Sequence, residues 1–196
     1  MNLNKENKLN GKDLINIGIY SAIYCVLVFV AAMLGCIPIF MPLLSVIIPL
    51  FGGIPYMLFL TKVKKFGMIL IMTILIEIMM LLTGMGYFPL LIGFFAGLGA
   101  ELVYKSGKYQ NLFKGIISHG VFSIWVLGNY VLLCLNPDSY FATRQNLGEE
   151  YINALKGYTP MWIFPVLLVV CMVFGIVGGY LGKALLKKHF RKAGIA

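Results

Sequence analysis

Three ionisable side chains stand inside long apolar runs of this sequence: Glu77, Glu101 and His119. Glu77 interrupts KKFGMILIMTILIEIMMLLTG near its middle. A carboxylate in hydrocarbon costs a few kcal/mol on insertion scales, so Glu77 is expected to face the protein interior. The chemistry open to it is proton carriage, a polar contact between helices with His119 or Asn129 as partner, or the floor of a ligand pocket. Glu101 sits in GAELVYK with Lys105 one turn on, the spacing of an exposed ion pair that needs no function. His119, in SHG, reads as a side chain hydrogen-bonded to a neighbouring helix, with ligand binding and proton carriage as the alternatives.

A second group of residues suits recognition rather than proton chemistry. Tyr87, Trp125, Asn129, Tyr130 and Trp162 fall near the ends of apolar runs. Trp and Tyr at such places commonly form an interfacial belt. Trp125 and Asn129 are four apart, so a helix puts them on one face, deeper than a belt requires. With Glu77 these five are the candidate substrate-binding residues, because an aromatic wall with a few amide and hydroxyl groups suits a small heterocyclic ligand. Catalysis is not expected, since HExxH, GxSxG, paired aspartates and the Walker A pattern are all missing. Cys25, Cys36, Cys134 and Cys171 are scattered, without CxxC or histidine at ligand spacing, so neither metal nor cofactor is implied. Cys36 and Cys134 fall towards the same outer face, but sequence does not set disulfide geometry.

The elements that must position these residues are membrane spans. Of 196 residues, 60% are hydrophobic and 12% charged, against about one quarter charged in a soluble domain. The mean hydropathy is +0.91. Runs of about 18 or more apolar residues cross a bilayer as helices. The predicted spans are roughly 14–35, 39–61, 66–83, 87–104, 115–135 and 160–182, an all-α integral membrane protein forming a single membrane domain. The first follows a polar head, MNLNKENKLNGKD, and is too long for a signal-peptide core, so it is expected to stay as a span.

Lysine and arginine sort across these spans. Lys5, Lys8 and Lys12 precede the first; Lys62, Lys64 and Lys65 fill the second connection; Lys105, Lys108 and Lys114 fill the fourth. Lys183, Lys187, Lys188, Arg191 and Lys192 follow the last, which puts fourteen of sixteen basic residues on one side. Only Arg144 and Lys156 fall on the other. The positive-inside rule then places both termini in the cytoplasm. The net charge of +9 therefore reflects topology and attraction to anionic lipid, not nucleic-acid binding.

Backbone chemistry adds three expectations. Pro42, Pro49 and Pro55, with Gly52 and Gly53, should interrupt the second span, either as a kinked helix packed on neighbours or as a broken segment beside a pocket. Gly18 and Ala22 in the first span, Gly93 and Gly97 in the fourth, and Gly175, Gly178, Gly179 and Gly182 in the last mark faces where helices approach closely. The long outer connection 136–159 carries an amphipathic stretch with Leu147, Tyr151, Ile152 and Leu155 on one side, suited to covering helix ends or to acting as a lid. Asn136 is placed to cap a turn there.

Four segments together resemble one family: KLNGKDLINIGIYSAIY, PLLSVIIPLFGGIPYMLFLTKVKKFG, LLTGMGYFPLLIGFFAGLGAELVYKSGKY and LGKALLKKHFRKAGIA. They look like the Trep_Strep (MptABC-type) family, whose members are regarded as S components of energy-coupling factor (ECF) transporters. The resemblance spans about Lys8 to Ala196 and is least distinct in the outer loop. It implies a six-helix bundle in the cell membrane that captures a vitamin or other micronutrient from outside. It also implies partners: a transmembrane coupling subunit and two cytosolic ATPase subunits of an ABC-type importer. Small residues on the first helix dock the coupling subunit in many such proteins, and Gly18 and Ala22 match that pattern, with glycine in place of the usual first alanine.

The expected function is thus substrate capture without catalysis, energised by partner subunits. Two alternatives stand beside it. One is a self-sufficient secondary transporter coupled to protons through Glu77 or His119, although half-chain repeats of that kind are not visible. The other is a membrane enzyme or scaffold.

Overall fold

The computed structural model describes residues 8–144 and 146–189, and all regular secondary structure among them is helical. Lys5, Arg191 and Lys192 lie outside the described residues, as does the side chain of Lys188. Helix α1 (Gly11–Ala32) opens with a capping box: Asn10 Oδ1 accepts from the Asp13 N–H, and Asp13 Oδ2 accepts from the Asn10 N–H, both at 2.9 Å. It runs into a 3-10 turn, Met33–Cys36. Next come α2 (Phe40–Leu60), α3 (Met68–Leu82), α4 (Phe88–Ser106) and α5 (Leu112–Phe122). An eight-residue 3-10 segment, Ser123–Tyr130, joins α5 to the short α6 (Val131–Leu135). The outer connection holds α7 (Pro137–Ala142) and α8 (Glu149–Tyr158), and α9 (Ile163–His189) is the last described helix.

Among the described residues five stretches are long and apolar enough to cross a membrane: Gly11–Cys36, Phe40–Leu60, Phe88–Ser106, Leu112–Leu135 and Ile163–Lys187. The span expected at 66–83 is a shorter helix. At 15 residues α3 rises about 22 Å, less than the roughly 30 Å hydrocarbon core. Gly67, in a left-handed conformation at φ +96°, starts it; Gly84 and Gly86, both at φ +83°, turn the chain after it. The last helix reaches beyond the expected limit of 182.

The helices pack as a ring. α1 touches α2 and α3, α3 touches α4, α4 touches α5, α5 touches α9, and α9 returns to α2 in the most extensive pairing of the bundle. That last pairing is backbone against backbone. A Cβ on Gly53 would overlap the Gly178 carbonyl, and a Cβ on Gly182 would overlap the Gly53 carbonyl. Small residues are what allow this approach. Gly175 packs likewise on Ser123 and Gly120, and Gly97 on Thr73.

The second span is not a broken segment. α2 is continuous through Pro49 and Pro55. Each proline deletes a single ladder donor, and the rest of the ladder holds because close packing against α9 keeps the segment inside protein. Pro42 falls in the first turn, where its missing N–H has no helical partner to lose.

The core is aromatic. Tyr24, Tyr56, Phe122 and Trp125 are fully buried. Tyr24 meets Phe122 edge-on at 5.4 Å and Trp125 at 6.2 Å, while Tyr56 meets Phe122 at 4.6 Å and His119 at 4.8 Å. Edge-to-face and tilted contacts of this kind add to the burial of each ring.

Candidate functional site

The two ends of the bundle differ in chemistry. At one end, Lys65 Nζ meets Asp13 Oδ2 at 2.8 Å, and Lys105 Nζ lies 4.8 Å from the centre of the Phe66 ring. Residues ahead of α1, the α2–α3 connection and the end of α4 therefore gather together with most of their lysines. The opposite end is formed by Met33–Ile39, Thr83–Tyr87 and the outer connection.

At that opposite end lies a cleft of about 620 Å³. Its apolar floor includes Ala32, Met41, Leu44 and Met85, and its polar wall includes Tyr140, Thr143, Arg144 and Tyr151. A second cleft of about 510 Å³ shares Met85, Thr143 and Arg144.

The outer connection covers this region because its own sequence folds it there. Asn136 caps α7 by accepting from the Ser139 N–H at 3.2 Å, with Pro137 in the first turn. The expected apolar side of α8 faces inward: Leu155 is fully buried, and Leu147, Tyr151 and Ile152 pack on the core. Two polar ties then hold the cover to the bundle. Tyr151 Oη donates to the Gly35 carbonyl at 2.6 Å, and Arg144 Nη2 donates to the Gly84 carbonyl at 2.8 Å. Arg144 Nη1 also donates to the Tyr140 carbonyl at 3.0 Å and to Thr143 Oγ1 at 3.1 Å, and the guanidinium lies 4.1 Å from the centre of the Tyr140 ring. Lys156 and Asp138 pair across the top of the cover at 2.9 Å.

None of the six residues expected to bind substrate lines either cleft. Tyr87 and Trp162 are exposed, at 63% and 69%, and Tyr87 stacks on its neighbour Phe88. Trp125 is fully buried, with its indole N–H 3.5 Å from Tyr24 Oη. Tyr130 is buried and donates to the Met41 carbonyl at 2.6 Å. The shared face expected for Trp125 and Asn129 does not form. Residues 123–130 are a 3-10 helix, in which positions three apart align and positions four apart do not. Asn129 Nδ2 bonds the Val126 carbonyl at 3.2 Å, within its own segment.

Of the ionisable residues, His119 stands as expected, Glu77 is buried without its expected partner, and Glu101 departs from expectation. Glu77 is fully buried, as expected, facing Gly93 of α4, but neither carboxylate oxygen has a hydrogen-bond partner among the described residues. Pairing with His119 or Asn129 is thereby excluded. Glu101 is no exposed partner of Lys105. It is fully buried, accepts from the Ile69 N–H at 2.8 Å and the Leu70 N–H at 3.3 Å, and receives Tyr109 Oη at 3.1 Å. A carboxylate on α4 thus caps α3, whose own N-cap, Gly67, has no side chain to do so. His119 behaves as a packing residue, its Nδ1 2.6 Å from the Gly175 carbonyl of α9.

Gly18 and Ala22 are both exposed on α1, and nothing lies within 4 Å of where a Gly18 Cβ would stand. All four cysteines are free; Cys36 alone is exposed. Sequence reasoning passed over Met41, Met85, Tyr140 and Arg144 as cleft residues. The available signal is Arg144 itself, one of two basic residues against the charge pattern.

A bundle of apolar helices with a lysine-rich end and, at the other end, clefts under a folded connection defines a polytopic helical membrane protein. The chain belongs to the Trep_Strep family: the family model, described as a hypothetical bacterial integral membrane protein, matches residues 11–192. No curated protein and no solved structure matches the chain.

Proposed function

We propose that this protein is a substrate-capture subunit, the S component of an ECF-type importer in the bacterial plasma membrane. The observation that carries this reading is the outer cleft, floored by apolar side chains and covered by α7 and α8, which are tied down by Tyr151 and Arg144. A concave, largely apolar site with a few fixed polar groups is the ordinary form of a small-molecule site. In this reading α3 completes six crossings and both termini lie in the cytoplasm, consistent with the lysine-rich end of the bundle. Gly18 and Ala22, exposed on α1 with open space before them, suit the docking of a coupling subunit. Two cytosolic ATPases supply the energy; the chain itself is not an enzyme.

The test is reconstitution. Protein purified in mild detergent is expected to retain a small molecule detectable by mass spectrometry, and import is expected only with the ATPase subunits and ATP. Uptake by this chain alone, without ATP, overturns the proposal.

One observation favours a second reading, a proton-coupled secondary transporter. Glu77 is a buried carboxylate within an apolar helix, with no partner among the described residues, and intramembrane carboxylates mark proton relays among other pathways.

A further inference from the structure

We infer that the outer cleft takes a small organic anion, with Arg144 holding its carboxylate or other oxyanion and Met41, Leu44 and Met85 contacting its apolar body. This deepens the capture reading and rests on it. Its basis is the charge balance of the cleft. Among the described residues Arg144 is the one ionised side chain that lines either cleft, and no Asp, Glu or Lys lines them. Every hydrogen-bond acceptor of its side chain among the described residues is neutral: two backbone carbonyls, one hydroxyl and, at 4.0 Å, the Met85 thioether sulfur. These fix the guanidinium in place without cancelling its charge.

The other outer cation is accounted for. Lys156 pairs with Asp138 at 2.9 Å, away from the cleft. Arg144 stands where the two clefts meet, half-buried against the Tyr140 ring, with an apolar floor beside it. An arginine fork prefers planar oxyanions, and a positive charge in a partly desolvated wall disfavours cationic ligands. Amphipathic anions match both halves of the site; neutral sugars and organic cations do not.

Cys36 lines the same cleft and is the exposed cysteine, so its thiol reports the local potential. The probes are sulfonatoethyl methanethiosulfonate, which is anionic, and trimethylammonioethyl methanethiosulfonate, which is cationic. In the full-length protein in mild detergent, the ratio of anionic to cationic modification rates is expected to fall several-fold in Arg144→Gln and to persist in Arg144→Lys. Lysine keeps the charge without the three bonds of the guanidinium, so matching melting temperatures of Arg144→Gln and Arg144→Lys control for folding of the cover. An unchanged ratio in Arg144→Gln overturns the inference.

Mass spectrometry of the compound retained by the wild type supplies the second arm. An acid whose retention falls about tenfold or more in Arg144→Gln supports the inference, that being the scale of losing a charged hydrogen bond. A neutral or cationic compound, or one held equally by Arg144→Gln, overturns it while leaving substrate capture intact. Retention of nothing removes the capture reading, and this inference with it.

Discussion

The Glu101 carboxylate on α4 accepts the Ile69 backbone N–H of α3 at 2.8 Å, so one helix supplies the cap that another lacks. Ile69 is fully buried, and the chain before it offers only a left-handed glycine. Removing the acceptor leaves buried donors unsatisfied. Glu101→Ala is expected to lower stability by about 1–3 kcal/mol, and Glu101→Gln, which keeps an acceptor oxygen, by less. Thermal unfolding in detergent measures both. Equal losses in the two variants would mean that packing, not capping, is what Glu101 provides.

Gly53 in the α2–α9 contact and Gly18 on the open face of α1 make a contrasting pair of predictions. Gly53→Ala forces a methyl into the Gly178 backbone, which cannot yield as a side chain can. A loss of about 1–3 kcal/mol or more is expected. Gly18→Ala meets open space within a helix and should leave the melting temperature unchanged or raise it.

If α1 docks a coupling subunit, bulk at the same position separates folding from assembly. Gly18→Leu is expected to fold with wild-type stability and still retain ligand, yet fail to co-purify with the coupling subunit. Normal co-purification would move the docking face elsewhere.

The hydroxyl of Tyr151 ties α8 to Gly35 at 2.6 Å. Tyr151→Phe keeps the ring and drops a bond worth about 1 kcal/mol, so ligand should leave about fivefold faster. Dissociation of the retained compound, followed by rapid dilution, gives that rate. An unaltered rate would show that the cover does not control release.

Glu77→Gln decides between the two transport readings. With no hydrogen bond to lose among the described residues, the variant should remain within about 1 kcal/mol of wild-type stability. Capture and ATP-driven import should then persist. Abolition of transport with capture intact would favour proton coupling through Glu77.

What the sequence determined by itself was whatever lipid judges segment by segment. Apolar runs had to become helices, lysines had to collect at one end, and the apolar side of LGEEYINAL had to turn inward. Each follows from local composition: backbone groups in hydrocarbon must bond within their own helix, basic residues collect on one side of the membrane, and apolar faces leave water. The burial of Glu77 followed because a carboxylate facing lipid is costly. Tertiary structure decided the matters that depend on which helix stands beside which. Glu101 became a cap because α3 begins beside it, not because Lys105 lies one turn away. Trp125 and Asn129 parted because residues 123–130 tightened into a 3-10 helix, which their spacing alone does not reveal. Gly53 found Gly178, and α2 stayed whole despite its prolines, because α9 packs along it. Arg144 turned from a charge against the topological pattern into the cation of a cleft because the outer connection folds back over Met41 and Met85. The bilayer acts on each segment separately; neighbours act only after the segments have met.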